Sequence, residues 1–147
     1  MSKKTVGIPL KKIKTIALVA HDNTKPELMA WAKANKDKLK EHELVGTGHT
    51  AKQIHEATGL RVAGLLPGPY GGDQQIGSMI AEGKIDMLIF FWDPLQAQPH
   101  DPDVKALLRV AVTWNILIAN NPITADFIIS SPYMTEEYTK ALPLLDY

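Results

Sequence analysis

Apolar and polar positions fall in blocks along this chain, and the blocks recur in a fixed order. Thr15-Ile16-Ala17-Leu18-Val19-Ala20 is a short run of strand formers closed by the polar His21-Asp22-Asn23, which reads as a strand buried on both faces. A helix is predicted next. Thr24 and Glu27 have capping-box spacing, Pro26 falls in the first turn, and Leu28, Trp31, Ala32 and Leu39 make an apolar face. The order then repeats: Glu43-Leu44-Val45-Gly46 is a strand, Thr50 and Gln53 make a second capping box, and a helix runs through Ile54 and Ala57 to Gly59. Residues 61–66 read as a third strand, broken by Pro67-Gly68-Pro69-Tyr70-Gly71-Gly72 before a helix that carries Ile76, Met79 and Ile80 and stops at Gly83. Residues 86–92 are a fourth strand. Asp101-Pro102 opens a helix with Val104, Leu107, Leu108, Ala111 and Val112 at three- and four-residue steps, and residues 116–119 are a fifth strand. Residues 124–147 are expected to add a helix and a short last element.

Strands alternating with helices across short loops mean βαβ units and a parallel sheet covered on both faces. The predicted fold is therefore α/β: a three-layer α/β/α domain with a five-stranded parallel sheet, Rossmann-like. No repeat, linker or low-complexity block interrupts it, so residues 1–147 are expected to form one domain. Residues 1–13, with four lysines, are expected to be a solvated basic tail.

Composition narrows the chemistry. The absence of cysteine excludes a disulfide scaffold, thiolate metal sites and a cysteine nucleophile. Sixteen Lys+Arg balance sixteen Asp+Glu, so no global field draws the chain to nucleic acid or an anionic membrane. Any anion must be held locally. The longest fully apolar run, Met87 to Trp92, is far below the roughly 20 residues of a membrane span. The basic amino terminus lacks the apolar core of a signal peptide, and the expected location is the cytoplasm.

In open parallel sheets ligands sit outside the carboxyl ends of the strands. The loops there hold His21, Asp22 and Lys25 after the first strand, then Thr47, Gly48, His49 and Thr50 after the second. Gly68, Gly71, Gly72 and Asp73 follow the third strand; Asp93, His100, Asp101 and Asp103 follow the fourth. Asp73 and Asp101 also stand where helix caps belong, a structural role that Asp fills well. Gly46-Thr47-Gly48-His49-Thr50-Ala51 matches a dinucleotide-binding G-x-G-x-x-A, but it follows the second strand and lacks the ribose-binding carboxylate downstream. What remains is a helix start with the Thr47 and Thr50 hydroxyls and the Lys25 ammonium, a set suited to a small phosphate. No Walker loop suggests ATP, and no H-E-x-x-H suggests zinc. His42 and His55 read as surface or locally satisfied residues.

Longer motifs point further. Leu18-Val19-Ala20-His21-Asp22, Gly71-Gly72-Asp73-Gln74-Gln75, Phe90-Phe91-Trp92-Asp93-Pro94 and the run from Pro99-His100-Asp101-Pro102-Asp103 to Arg109 resemble the methylglyoxal synthase family. Asn120 and Thr124-Ala125-Asp126-Phe127 extend the resemblance, which covers residues 14 to 132. It implies a lyase that turns dihydroxyacetone phosphate into methylglyoxal and inorganic phosphate with no metal or organic cofactor. It also implies a homohexamer, with phosphate as an inhibitor. Asp73 is then the base that takes a proton from the hydroxyl-bearing carbon, and His100 polarises the carbonyl. Asp103 and Asp93 are supporting carboxylates, and His21 faces the substrate. Lys25, Thr47, Thr50 and Gly68 grip the phosphate, with Asp22, Gly48, His49 and Pro67 beside them. The same fold also serves as a regulatory domain without the catalytic set, so a non-catalytic sensor of a phosphorylated metabolite is the alternative. Three positions depart from the family's usual pattern: His49 and Ala51 replace a threonine and a glycine in the loop after the second strand, and Pro67 replaces a serine.

Overall fold

Successive side chains of a strand point to opposite faces, and in this protein both faces are apolar. A computed structural model describes residues 4–96 and 101–143, so His100 lies outside the described residues. The elements are β1 (Thr5–Leu10), β2 (Thr15–Ala20), α1 (Lys25–Ala34), α2 (Lys36–Leu39), β3 (Glu43–Gly46), α3 (Gly48–Thr58) and β4 (Ala63–Gly64). They continue with α4 (Gly72–Ala81), β5 (Met87–Phe91), α5 (Asp101–Thr113), β6 (Leu117–Ala119), α6 (Pro122–Ile129) and β7 (Tyr138–Pro143). Five strands form one parallel sheet in the order β4-β3-β2-β5-β6. The α/β class and the five-stranded parallel sheet are as the hydrophobic pattern predicts.

The period of two decides which helix covers which face. Ile16 and Leu18 of β2, with Met87, Ile89 and Phe91 of β5, pack against Leu28 and Trp31 of α1, Ile54 of α3 and Ile129 of α6. Ala17, Val19, Leu88 and Phe90 point the other way, onto Ile76 and Ile80 of α4 and Val104 and Leu107 of α5. Full burial of a Leu, Ile or Phe side chain contributes about 1.5–3 kcal/mol, so β2 and β5, buried on both faces, contribute most to the core. They also mark where the strand order reverses. From β2 the chain builds outward to β3 and β4, then crosses back to β5 and β6, leaving a crevice outside the carboxyl ends of β2 and β5.

Four local expectations are corrected. The basic segment read as a tail contains β1, which pairs antiparallel with β7 from Thr5↔Pro143 to Leu10↔Tyr138. Lys14 is 1% exposed and fastens this ribbon, its Nζ donating to the carbonyl oxygens of Glu136 at 2.8 Å and of Lys11. Neither predicted capping box forms. Thr24 instead donates its hydroxyl to the carbonyls of His21, at 3.0 Å, and Phe91, and α3 begins at Gly48, which leaves Thr50 inside the first turn. The single helix expected after β2 is broken at Asn35 into α1 and α2. The third strand shortens to Ala63–Gly64 at the sheet edge, with Leu65 N–H still donating to Gly46 O at 2.8 Å.

Candidate active site

The crevice is built from the ends of its two strands. His21 directly follows β2; its N–H donates to Phe91 O at 3.2 Å, and its ring Nδ1 accepts the N–H of Asp93 at 3.0 Å. A nitrogen that accepts carries no proton, so the neutral ring bears its hydrogen on Nε2. The ring stands edge-on to Phe90, with centroids 5.5 Å apart. Asp93 is anchored in turn: Asn23 Nδ2 donates to Oδ2 at 3.0 Å and Leu95 N–H to Oδ1 at 2.9 Å. Those two hydrogen bonds, Asn23's first, hold its carboxyl below the usual carboxylate range.

Two helices start at the same edge. Thr47 occupies the N-cap position of α3 but makes no side-chain cap, and it is buried. Thr50 is 1% exposed, and its Oγ1 has no hydrogen-bond partner among the described residues. α4 begins where the chain crosses close to Leu66. A Cβ added at Gly72 would lie 2.0 Å from Leu66 O, a contact no side chain can make, so glycine is required there by close approach. The crossing turns Asp73, 4% exposed, toward the loop: a Cβ added at Gly68 would lie 3.3 Å from Asp73 Oδ1.

Between these parts lies a cavity of about 220 Å³. Buried His21, Thr47, Thr50 and Asp73 line its depth, with Pro67 and Gly68 along one side. Asp22, Lys25 and His49 line it from the more exposed positions. Lys25 Nζ meets Asp22 Oδ1 at 2.9 Å, and that hydrogen bond, followed by the charge of Lys25, holds the Asp22 carboxyl below its ordinary range. A volume below the usual 300–1,000 Å³ suits a metabolite of a few heavy atoms.

A model of the MGS-like domain matches residues 27–120. A methylglyoxal synthase of Aliivibrio fischeri strain MJ11 is 56% identical over 146 residues, 99% of this chain and 95% of that protein. Another from Photorhabdus laumondii is 58% identical over 130 residues, 88% of this chain and 86% of that protein. The crystal structure of a methylglyoxal synthase from Elizabethkingia anophelis NUHP1 superposes with a TM-score of 0.92 at 51% identity, covering 96% of this chain and 93% of that one. The chain belongs to the methylglyoxal synthase family.

Not every residue singled out in the sequence lies on the cavity of this synthase-family fold. Gly48 stands behind it, where an added Cβ would meet Pro67 N at 3.2 Å, and so governs how closely the two loops approach. Asp93 lines a neighbouring depression with Asn23, Trp92 and Asn120. Asp103, in the first turn of α5, is half-buried and is not among the residues lining the His21–Asp73 cavity. Asn23 was missed by the sequence reading although it shares a loop with His21; its amide also donates to Gln96 Oε1 at 2.8 Å. Its signal was an amide within the same polar cluster that ends β2.

Proposed function

We propose that this chain converts dihydroxyacetone phosphate to methylglyoxal and inorganic phosphate, with Asp73 as the base. Membership in a family of lyases makes it an enzyme with a small-molecule substrate. The observation that carries the assignment of roles is the pairing, in one small cavity, of a buried carboxylate at Asp73 with a buried hydroxyl at Thr50 that has no partner among the described residues. The first suits a proton abstraction and the second an incoming oxyanion.

The reaction then runs through named groups. Thr50, the N–H groups of the first turn of α3, Lys25 and His49 hold the phosphate, an anion at a helix start. Asp73 removes a proton from the hydroxyl-bearing carbon, and the C–H pair becomes the double bond of an enediolate while the carbonyl oxygen takes the charge. His100 polarises that oxygen, with the Nε2–H of His21 as a second donor from the cavity wall. A neutral imidazole beside a carboxylate base is the arrangement that triosephosphate isomerase uses on the same substrate. The hydroxyl of the enediolate then gives its proton to the departing phosphate and becomes the aldehyde carbonyl, the double bond shifts by one carbon, and phosphate leaves with the C–O pair. The enolate left behind takes a proton, the one held by Asp73, on the former phosphate-bearing carbon to give methylglyoxal. A desolvated, positioned base contributes about 10²–10⁴-fold to such a step.

Asp93 acts through His21, and Asp103 supports His100. The protein works in the cytoplasm as a homohexamer that inorganic phosphate inhibits, and residues 1–147 form one domain. The test is incubation of the purified protein with dihydroxyacetone phosphate while methylglyoxal and phosphate are followed together. Equimolar release of both is expected, and release of neither would remove the assignment.

A further inference from the structure

A second cavity, of about 700 Å³, opens at the amino ends of the strands whose carboxyl ends form the active site. Asp86 and Lys14, which line it, directly precede β5 and β2, and the β1–β7 ribbon closes it through Leu10 and Tyr138. A five-residue strand spans roughly 17 Å, so an occupant here touches no group assigned to the reaction.

The walls are apolar and aromatic. Phe127, Tyr133 and Tyr138 line the cavity while remaining 77%, 58% and 44% exposed, and the two tyrosine rings lie with centroids 4.9 Å apart. Exposed rings gathered at the edge of a cavity mark binding surfaces. Among the described residues the charged groups that line it are three. Lys14 is spent on backbone carbonyls, as described above. Asp86 accepts the Thr15 N–H on Oδ2 at 2.8 Å. Lys140 is half-buried, donates one hydrogen bond, to Trp114 O at 3.2 Å, and also feels the Asp86 charge. Among the described residues two lysines against one aspartate leave the lining one positive charge in surplus, and the ammonium with hydrogens to spare is that of Lys140.

We propose that this cavity is a second ligand site, for a small aromatic monoanion whose carboxylate or sulfonate meets Lys140 and whose ring lies against Tyr138 and Phe127. The charge balance selects a monoanion over a phosphate dianion, and the rings select an aromatic body over a sugar. Burial lowers the Lys140 ammonium from its ordinary value and the Asp86 charge offsets this only in part, so a bound anion would complete the offset.

The test is fluorescence titration of the full chain with 1-anilinonaphthalene-8-sulfonate, in parallel with the neutral N-phenyl-1-naphthylamine. Wild type is expected to bind one sulfonate per chain saturably, with no displacement by inorganic phosphate at concentrations that fill the active site. Lys140→Gln, which keeps a donor for Trp114 O, is expected to weaken the sulfonate at least fivefold and the neutral probe less than twofold. Equal sulfonate affinity in the two proteins, displacement by phosphate, or an equal loss of the neutral probe would each overturn the proposal. So would sulfonate binding that appears only on dilution as an oligomer dissociates, because a second copy of the chain would then be what covers this face.

Discussion

The backbone N–H of Asp93 donates to Nδ1 of His21 at 3.0 Å across the point where the strand order reverses. One bond thus joins the ends of β2 and β5, fixes the neutral tautomer of His21 and aims its ring along the cavity wall. The loop that supplies this N–H is held by the Asp93 carboxylate through Asn23 and Leu95.

Asp93→Ala therefore acts on His21 at a distance. Turnover is expected to fall about tenfold with KM changed less than threefold, and Asp93→Asn, which can still accept one of the two bonds, to recover most of it. Steady-state kinetics of the three proteins check this. An unchanged kcat in Asp93→Ala would show that the loop keeps its position unaided.

Thr50→Val separates stability from binding. A buried hydroxyl without a partner costs about 1–3 kcal/mol, and valine has nearly the same shape without that cost. The unliganded variant is expected to melt higher than wild type by the equivalent of about 1 kcal/mol, while KM for the phosphate ester rises tenfold or more. A lower melting temperature would mean that the hydroxyl is satisfied within the free protein.

Two glycines beside Asp73 are expected to fail in different ways. At Gly68 an added methyl meets the carboxylate at 3.3 Å, so Gly68→Ala is expected to move the base and lower kcat at least tenfold with little loss of stability. At Gly72 the methyl meets backbone oxygen at 2.0 Å, so Gly72→Ala is expected to lower the melting temperature sharply or prevent folding. Thermal melts and kinetics on both variants distinguish the two.

A pH dependence follows from the far end of the sheet. His42 Nδ1 accepts the Lys14 N–H at 2.9 Å, and burial followed by the Lys14 charge lowers its pKa in the folded state. The unfolded chain therefore binds the proton more readily. Stability is full above the unfolded value of about 6.5 and is lost as pH falls below it, by at most about 1 kcal/mol for one such bond. His42→Asn is expected to lack this component between pH 8 and 5.5, as measured by the midpoint of guanidinium unfolding at each pH.

The sheet was legible because β2 and β5 bury alternate side chains on both faces, which forces an uninterrupted apolar run. β1 was not, because Thr5–Leu10 is mostly exposed and its partner lies at the other end of the chain; no local pattern encodes such a pairing. The capping boxes misled for a related reason. Spacing alone satisfied the rule at Thr24 and Thr50, but the Thr24 hydroxyl has a carbonyl of β5 within reach, and Thr50 faces the cavity. In the site, His21, Asp73 and the loop after β3 followed from strand ends alone. Separating Asp93 from the cavity required the turn that its own carboxylate makes with Leu95.

Asp73→Asn tests the central claim most directly. Asp73 is the second residue of α4, whose N-cap is Gly71, so the change removes a charge worth about 0.3–1 kcal/mol near a helix start and leaves the cap intact. The folded variant is expected to melt within a few degrees of wild type and to bind inorganic phosphate with similar affinity, while methylglyoxal formation from dihydroxyacetone phosphate falls about 10³-fold or more. Retention of more than a tenth of the wild-type rate, in protein shown by mass to be free of deamidation, would contradict the assignment of Asp73 as the base.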